Sequence, residues 1–247
     1  MESNDILRRC EDLAARCERS GAVTVSSFLT PAERFAVERA FAHRETKPFF
    51  HGGGDECERT CAFFLPWYLD AVGLDVGEYI RCVHCKSYFG QPGHRDYLGA
   101  VLALGIGRER VGDIRVRGAD TWIFCLPPVA PLLLDLERVG RYTVKAEDRS
   151  LSDVPPEEYK TETLTFTVQS LRLDAMTGGM FRLSRSAAAE QIRLGLVSLN
   201  YSVCDRVDAA VNEGDVISLR GKGKGSVREI GGRSRKDRLF ITCERRV

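Results

Sequence analysis

Between Gly77 and Lys145 the spacing of apolar residues switches repeatedly, and the resulting order of elements is one that few folds accept. Gly77–Phe89 alternates as a strand, and His94–Leu104 has helical spacing until Gly105 stops it. Ile114 and Val116 alternate with Arg115 and Arg117 as a half-buried strand. Gly118-Ala119 turns this strand back into a nearly continuous apolar one over Thr121–Leu126, where Trp122 and Phe124 are core residues. Pro128–Arg138 suits a helix and Arg141–Lys145 a strand. Strand, helix, strand, strand, helix, strand is a split βαβ arrangement, which predicts an α+β domain over residues 74–169.

Ferredoxin-like and RNA-recognition (RRM-like) folds share that arrangement, but fold alone gives no function. The aromatic strand motif with which an RNA-recognition module stacks bases is not present. Residues 1–73 read as a helical region. One helix covers Asp5–Arg19 and ends near Gly21. Thr30-Pro31-Ala32-Glu33 starts a second, with Thr30 as N-cap, Pro31 in the first turn and Glu33 closing a capping box. Phe35, Val37, Ala40 and Phe41 supply its apolar stripe, and a third helix is expected from Asp55 toward Phe64. Arg149–Thr163, acidic and bearing Pro155-Pro156, reads as an exposed connection. After it, Leu164, Phe166 and Val168 alternate as a strand leading into a last domain, residues 170–247.

The net charge of +1 hides an asymmetry. From Ser170 onward there are 15 Lys or Arg against 9 Asp or Glu, whereas the preceding 169 residues hold 21 against 26. A basic end on a neutral chain suits a polyanion, but a solvated charged face gives the same count, so charge alone does not assign the partner. No apolar run approaches the ~20 residues needed to cross a bilayer, and the polar start Met1-Glu2-Ser3-Asn4-Asp5 suits neither signal nor transit peptide. A cytoplasmic protein is expected. The nine cysteines then read as reduced thiols. Cys57 and Cys61, with Cys82 and Cys85, raise the question of zinc, with His51 and His84 nearby. A strand through Tyr79–Phe89 places Cys82 and Cys85 on opposite faces, so no metal is expected.

The last domain carries the most specific residues. Leu171-Arg172-Leu173-Asp174 opens a short helix, and Ser184 N-caps a second that runs to Leu194 and stops at Gly195. Arg185, Ala189 and Arg193 lie four apart on that helix, with Arg182 just before it. Free N–H groups there favour phosphate, and guanidinium forks suit it. Leu183 and Ile192 are the expected core anchors. This segment resembles the RNA-binding domain named after small-subunit ribosomal protein S4, the alpha-L motif. The match runs through Leu171-Arg172-Leu173-Asp174, Ser184-Arg185-Ser186, Ile192-Arg193, Gly195-Leu196-Val197 and Asn200 to Gly214-Asp215-Val216-Ile217. Two departures are Asn200-Tyr201, where the family has Asn-Gly and where a longer hairpin is expected, and Gly178-Gly179. Each of these two glycines should weaken its helix by about 1 kcal/mol relative to alanine.

The whole chain resembles the YlmH-like family. The matching stretches are Gly52-Gly53 with Glu58-Arg59 and Phe64-Leu65-Pro66, then His94–Ala100, Gly105-Ile106 and Arg108–Ile114. Gly54 stands where that family has an aromatic. The resemblance implies a non-catalytic factor without cofactor or small-molecule substrate. It would bind rRNA and tRNA on large ribosomal subunits carrying stalled peptidyl-tRNA, in ribosome-associated quality control. A link to cell division also belongs to the family, so division or quality-control proteins are further expected partners. The residues it points to are Arg172, Arg182, Ser184, Arg185, Ser186, Arg193, Asn200, Lys222, Lys224, Arg233, Arg235 and Lys236. His94, Arg95, Arg108 and Arg110 form an expected second RNA contact.

Three enzyme signatures fail on inspection. Arg172-Leu173-Asp174 with Thr177-Gly178 mimics a pseudouridine synthase, but too little chain follows to build its catalytic domain; Asp174 reads as a helix-start residue. His94-Arg95-Asp96 mimics a kinase loop, yet Val101 stands where asparagine is required. Gly221-Lys222-Gly223-Lys224-Gly225 lacks the Lys-Ser/Thr of a phosphate loop, and it suits an RNA-tracking segment and a flexible hairpin equally.

Overall fold

Helix α1 (Ser3–Ser20) stops at Gly21, which takes φ 63°. Ile6, Cys10, Ala14 and Cys17 fall on one stripe and are all buried. The computed structural model describes residues 3–156 and 161–246; Met1, Glu2, Val247 and residues 157–160 of the expected connection lie outside the described residues. After β1 (Thr24–Val25), α2 (Pro31–Phe41) opens on the expected capping box. Thr30 Oγ1 accepts the Glu33 N–H at 3.3 Å, and the Glu33 carboxylate accepts the Thr30 N–H at 2.7 Å. Its stripe is narrower than read: Val37 and Phe41 are buried, Phe35 is half-buried and Ala40 is exposed.

The expected helix over Asp55–Phe64 does not form. Cys61–Phe64 is instead β3, the central strand of an antiparallel sheet ordered β1-β3-β2, with β2 spanning Phe49–His51. All four β3 residues are buried, and they alternate between two cores. Ala62 and Phe64 pack with α1 and α2, while Cys61 and Phe63 pack with Phe28, Ile80 and Phe124. A strand covered on both faces reads as a continuous apolar run, which hides its period.

The split βαβ order holds with altered lengths. It comprises β4 (Arg81–Ser87), α3 (His94–Ala103), β5 (Val111–Arg117), β6 (Asp120–Cys125), α4 (Ala130–Leu134), β7 (Arg138–Val139) and β8 (Tyr142–Arg149). These strands form one antiparallel sheet in the order β5-β6-β4-β8-β7. Helix α4 is five residues long, not the eleven of Pro128–Arg138. Proline suits only a first turn, and Pro127 and Pro128 sit in a 3-10 turn ahead of Pro131. Beyond Leu134 the chain enters the β7–β8 hairpin through Gly140, φ 57°. The connection also shortens, because β8 reaches Arg149 and the next strand starts at Thr161.

Cys82 packs with Phe124 and Cys85 with Tyr97 and Leu133, on opposite faces of the sheet as expected. β5 is not half-buried. Arg115 is 5% exposed, lies 5.1 Å over the Phe124 ring and donates to the Asp55 carbonyl and, at 3.2 Å, to Cys57 Sγ. The residues before β4 cover this face of the sheet, so an arginine in a strand pattern did not mark solvent.

The chain divides into two compact units, Met1–Glu157 and Glu158–Val247. In the second, β9 (Thr161–Val168), α5 (Leu173–Phe181) and α6 (Arg185–Arg193) precede β10 (Val197–Leu199) and β11 (Ser202–Val203). β12 (Val216–Leu219), β13 (Gly223–Arg233) and β14 (Leu239–Arg246) complete a sheet ordered β11-β10-β12-β13-β14-β9. Leu173, Met176, Met180, Phe181 and Ile192 seal the helices onto Val197, Ile217, Val227 and Ile241. Gly179 has a packing reason: a Cβ there would lie 2.2 Å from the Phe166 ring. The Asn200-Tyr201 hairpin is not lengthened. Leu199 pairs directly with Ser202, and both turn residues take positive φ, 50° and 66°, as a tight two-residue hairpin requires.

Candidate nucleic-acid interface

Two carboxylates organise the arginines of the second unit. Asp174, in the first turn of α5, is buried and accepts Arg172 Nε at 3.2 Å, Arg185 Nε at 3.0 Å and the Ala175 N–H at 2.8 Å. Its side chain is 6% exposed, against 37% for Arg172 and 58% for Arg185, so the acid is inside and the cationic heads are outside. Burial alone would raise the Asp174 carboxyl, but bonds from the two arginines outweigh it and hold the group below its ordinary value. Glu162 on β9 likewise accepts Arg182 and, at 2.8 Å, Arg245, but here only Arg182 is exposed; Arg245 is largely buried and also donates to the Met180 carbonyl at 3.4 Å. Each trio carries one net positive charge and fixes the direction of two guanidinium forks.

Arg182 takes φ 54° as the left-handed cap of α5, which lifts it out ahead of α6. Ser184 caps α6 by accepting the Ala187 N–H at 3.1 Å and lies 3.0 Å from the Ser186 hydroxyl. Arg193 is exposed in the last turn of α6, where it also complements the helix dipole. Ile192 is buried, whereas Leu183 is only half-buried, a weaker anchor than expected. Asn200 is committed on both sides: its Nδ2 donates to Asp215 at 2.8 Å and its Oδ1 accepts the Val216 N–H at 2.9 Å. Lys222 lies in the turn before β13 and Lys224 at its start. Arg233, Arg235 and Lys236 lie at its far end, with Arg233 held by Asp237 at 2.7 Å. Nine residue steps along β13 from Lys224 to Arg233 span roughly 30 Å, so the groups do not form one patch. The organising roles of Asp174 and Glu162 had no sequence signal, since each depends on partners brought in by the fold.

In the first unit His94, Arg95 and Arg110 are exposed. Arg108 is half-buried and donates to the carbonyls of Val111 and Gly112, at 2.7 and 2.8 Å; burial pushes its pKa down to about 10. No group of three or more His, Cys, Asp or Glu among the described residues could hold a metal ion, and no described helix is long and apolar enough to cross a membrane.

A family model described as a putative RNA-binding domain in YlmH matches residues 79–153. The ribosome-associated protein quality control protein P2 of Bacillus subtilis (strain 168) is 31% identical over 222 residues, covering 90% of this chain and 86% of that protein. The chain belongs to the YlmH family. The solved structure of cell division protein ylmH from Streptococcus pneumoniae shares the fold, with a TM-score of 0.54 at 19% identity, over 62% of this chain and 94% of that one.

The stretches that carry the YlmH resemblance meet as a clamp inside the first unit. Arg59 Nε donates to the Val111 carbonyl, and its Nη2 donates to the carbonyls of Phe28 and Arg108, each at 3.1 Å. Asp113 accepts the N–H groups of Glu58 and Arg59, at 2.7 and 3.1 Å. Gly53, φ 96°, sits so close to Phe124 and Ile80 that a Cβ would lie 2.6 and 2.8 Å from them. At Gly54, which departs from the family's aromatic, a Cβ would come within 3.2 Å of both Arg115 and Phe124. These residues join the two sheets of the unit, so most of this YlmH signature is accounted for by packing.

Proposed function

We propose that this protein is a non-catalytic RNA-binding factor that grips rRNA and tRNA on the large ribosomal subunit in quality control of stalled peptidyl-tRNA. The observation that carries the reading is the pair of carboxylate-centred arginine trios beside α6. The Asp174 trio presents Arg172 and Arg185, and the Glu162 trio presents Arg182, already aimed outward, which lowers the ordering cost of gripping phosphate. In this reading α5 and α6 form the alpha-L motif of an S4-type domain, and β4, β5, β6 and β8 form a ferredoxin-like sheet. Arg172, Arg182, Arg185, Arg193, Lys222 and Lys224 meet the backbone, with the Ser184 and Ser186 hydroxyls, while Asn200 shapes the hairpin beside them. Arg233, Arg235 and Lys236 take a separate stretch of RNA. The non-catalytic assignment is supported by Asp174, whose two oxygens are both held by arginines and are poorly placed to attack a nucleoside. The name of the Bacillus subtilis relative supports the quality-control setting. A role in cell division is the second reading, favoured by Trp67 and Val72, which stand 96% and 93% exposed in the first unit.

A salt titration of RNA binding tests the grip. With about five phosphate contacts, the log–log slope should be roughly −3.5 to −4.5, and replacing Arg182, Arg185 and Arg193 together by alanine should reduce it by about 2–3. A slope near zero for the intact protein would rule out the electrostatic grip.

A further inference from the structure

We propose that the loop between β4 and α3, with the adjoining corner of the five-stranded sheet, is a stacking platform for unpaired RNA nucleotides. The proposal rests on the RNA-binding reading above but uses residues of the first unit only. Tyr88 and Phe89 stand side by side in that loop, 58% and 81% exposed. Leaving two large rings in water forgoes burial energy that most chains use. The loop that carries them is well tied. Ser87 N–H donates to the Ala119 carbonyl at 2.8 Å, and Gly93 N–H donates to Asp96 at 2.8 Å. Between these ties Gly90, φ 85°, packs so tightly on the Tyr142 ring that a Cβ would lie 2.4 Å from it. An ordered loop is holding both rings outward.

What surrounds the rings selects the partner. Lys86 is directly opposite Lys145 in the β4–β8 register, and Tyr88 follows in the loop just beyond Ser87, close to Lys145. On its other side Lys86 faces Asp120 on β6, and that carboxylate lies 2.8 Å from His84 Nε2. Arg141 lies 5.2 Å over the Tyr142 ring beside the loop, and Arg95 is exposed in the first turn of α3. The nearby carboxylates are engaged: Asp96 caps α3, and Glu147 is held by Lys145 at 2.8 Å and Arg149 at 2.7 Å. Here the ring of cations matches the phosphates of a strand whose bases lie on the aromatic faces. Paired RNA hides those base faces, so the platform takes unpaired nucleotides.

The test uses the full chain with two RNA probes, an oligouridine decamer and a stable hairpin. Tyr88→Ala with Phe89→Ala should weaken decamer binding by roughly tenfold or more and leave hairpin binding within about twofold. The ring-preserving pair Tyr88→Phe with Phe89→Tyr should bind the decamer as the wild type does. Unchanged decamer binding by the alanine pair would overturn the platform and return the rings to a protein-docking role; equal weakening for both probes would overturn its preference for unpaired RNA. A wild type that binds the hairpin but not the decamer would also overturn it while leaving the RNA-binding reading intact. Binding of neither probe would remove that reading and the platform together.

Discussion

Replacing Asp174 by asparagine keeps the side chain's shape and removes its charge. The buried carboxylate accepts the Ala175 N–H and bonds from Arg172 and Arg185. Asparagine can keep the backbone bond through its carbonyl, but its NH2 then faces Arg185 Nε, a donor against a donor. Hydrogen bonds to charged groups contribute about 1.5–3 kcal/mol each, but these arginines are exposed enough to rehydrate, so the expected net loss is about 2 kcal/mol. The folded carboxyl titrates below its unfolded value of about 4. The unfolded state therefore binds protons first as pH falls. The charge contribution is fully present above about pH 4 and disappears as pH drops through the depressed folded value. Urea unfolding of both proteins, followed by circular dichroism across pH, reads this directly. A stability gap that is constant near neutrality and shrinks in acid is expected. A gap absent at pH 7, or undiminished by acid, would refute the assignment of Asp174 as the charged hub.

Gly179→Ala should destabilise the protein by about 2 kcal/mol, because overpacking against Phe166 exceeds the ~1 kcal/mol gained in helix propensity. Urea midpoints check this, and adding Phe166→Ala should abolish the penalty that the alanine introduces. Of the nine cysteines, eight are buried and Cys204 is half-exposed. Burial pushes the Cys82 and Cys125 thiols up to about 12. A colorimetric thiol titration of the native protein at pH 8 should therefore find one prompt thiol and nine after unfolding; several prompt thiols would contradict the packing.

Local chemistry was legible where it is self-contained. Thr30 and Ser184 announce their helices because a cap needs only its own first turn, and the central strand order follows from turn residues and alternation. What the sequence concealed depends on distant chain. Cys61–Phe64 lacks a period because two different cores cover it, and Arg115 is interior because the residues before β4 lie over its face of the sheet. Gly179 looked like a weak point of α5 until Phe166 was placed against it. At the candidate interface the arginines were visible, but not that Glu162 and Asp174 hold them. Arg108 was visible too, but not that its guanidinium donates to the carbonyls of Val111 and Gly112.

The proposed grip of the second unit on the ribosome is tested most directly by sedimentation of the full chain and its Arg182→Ala, Arg185→Ala, Arg193→Ala variant with ribosomal subunits in a sucrose gradient. The wild type should travel with large subunits, most strongly when these retain peptidyl-tRNA, and should be released at high salt. The triple variant, folded by circular dichroism, should stay near the top. Co-sedimentation of the variant to the same extent as the wild type would contradict the claim that these arginines are the anchor. Failure of the wild type to sediment with either kind of subunit would contradict the ribosomal reading and favour the cell-division one.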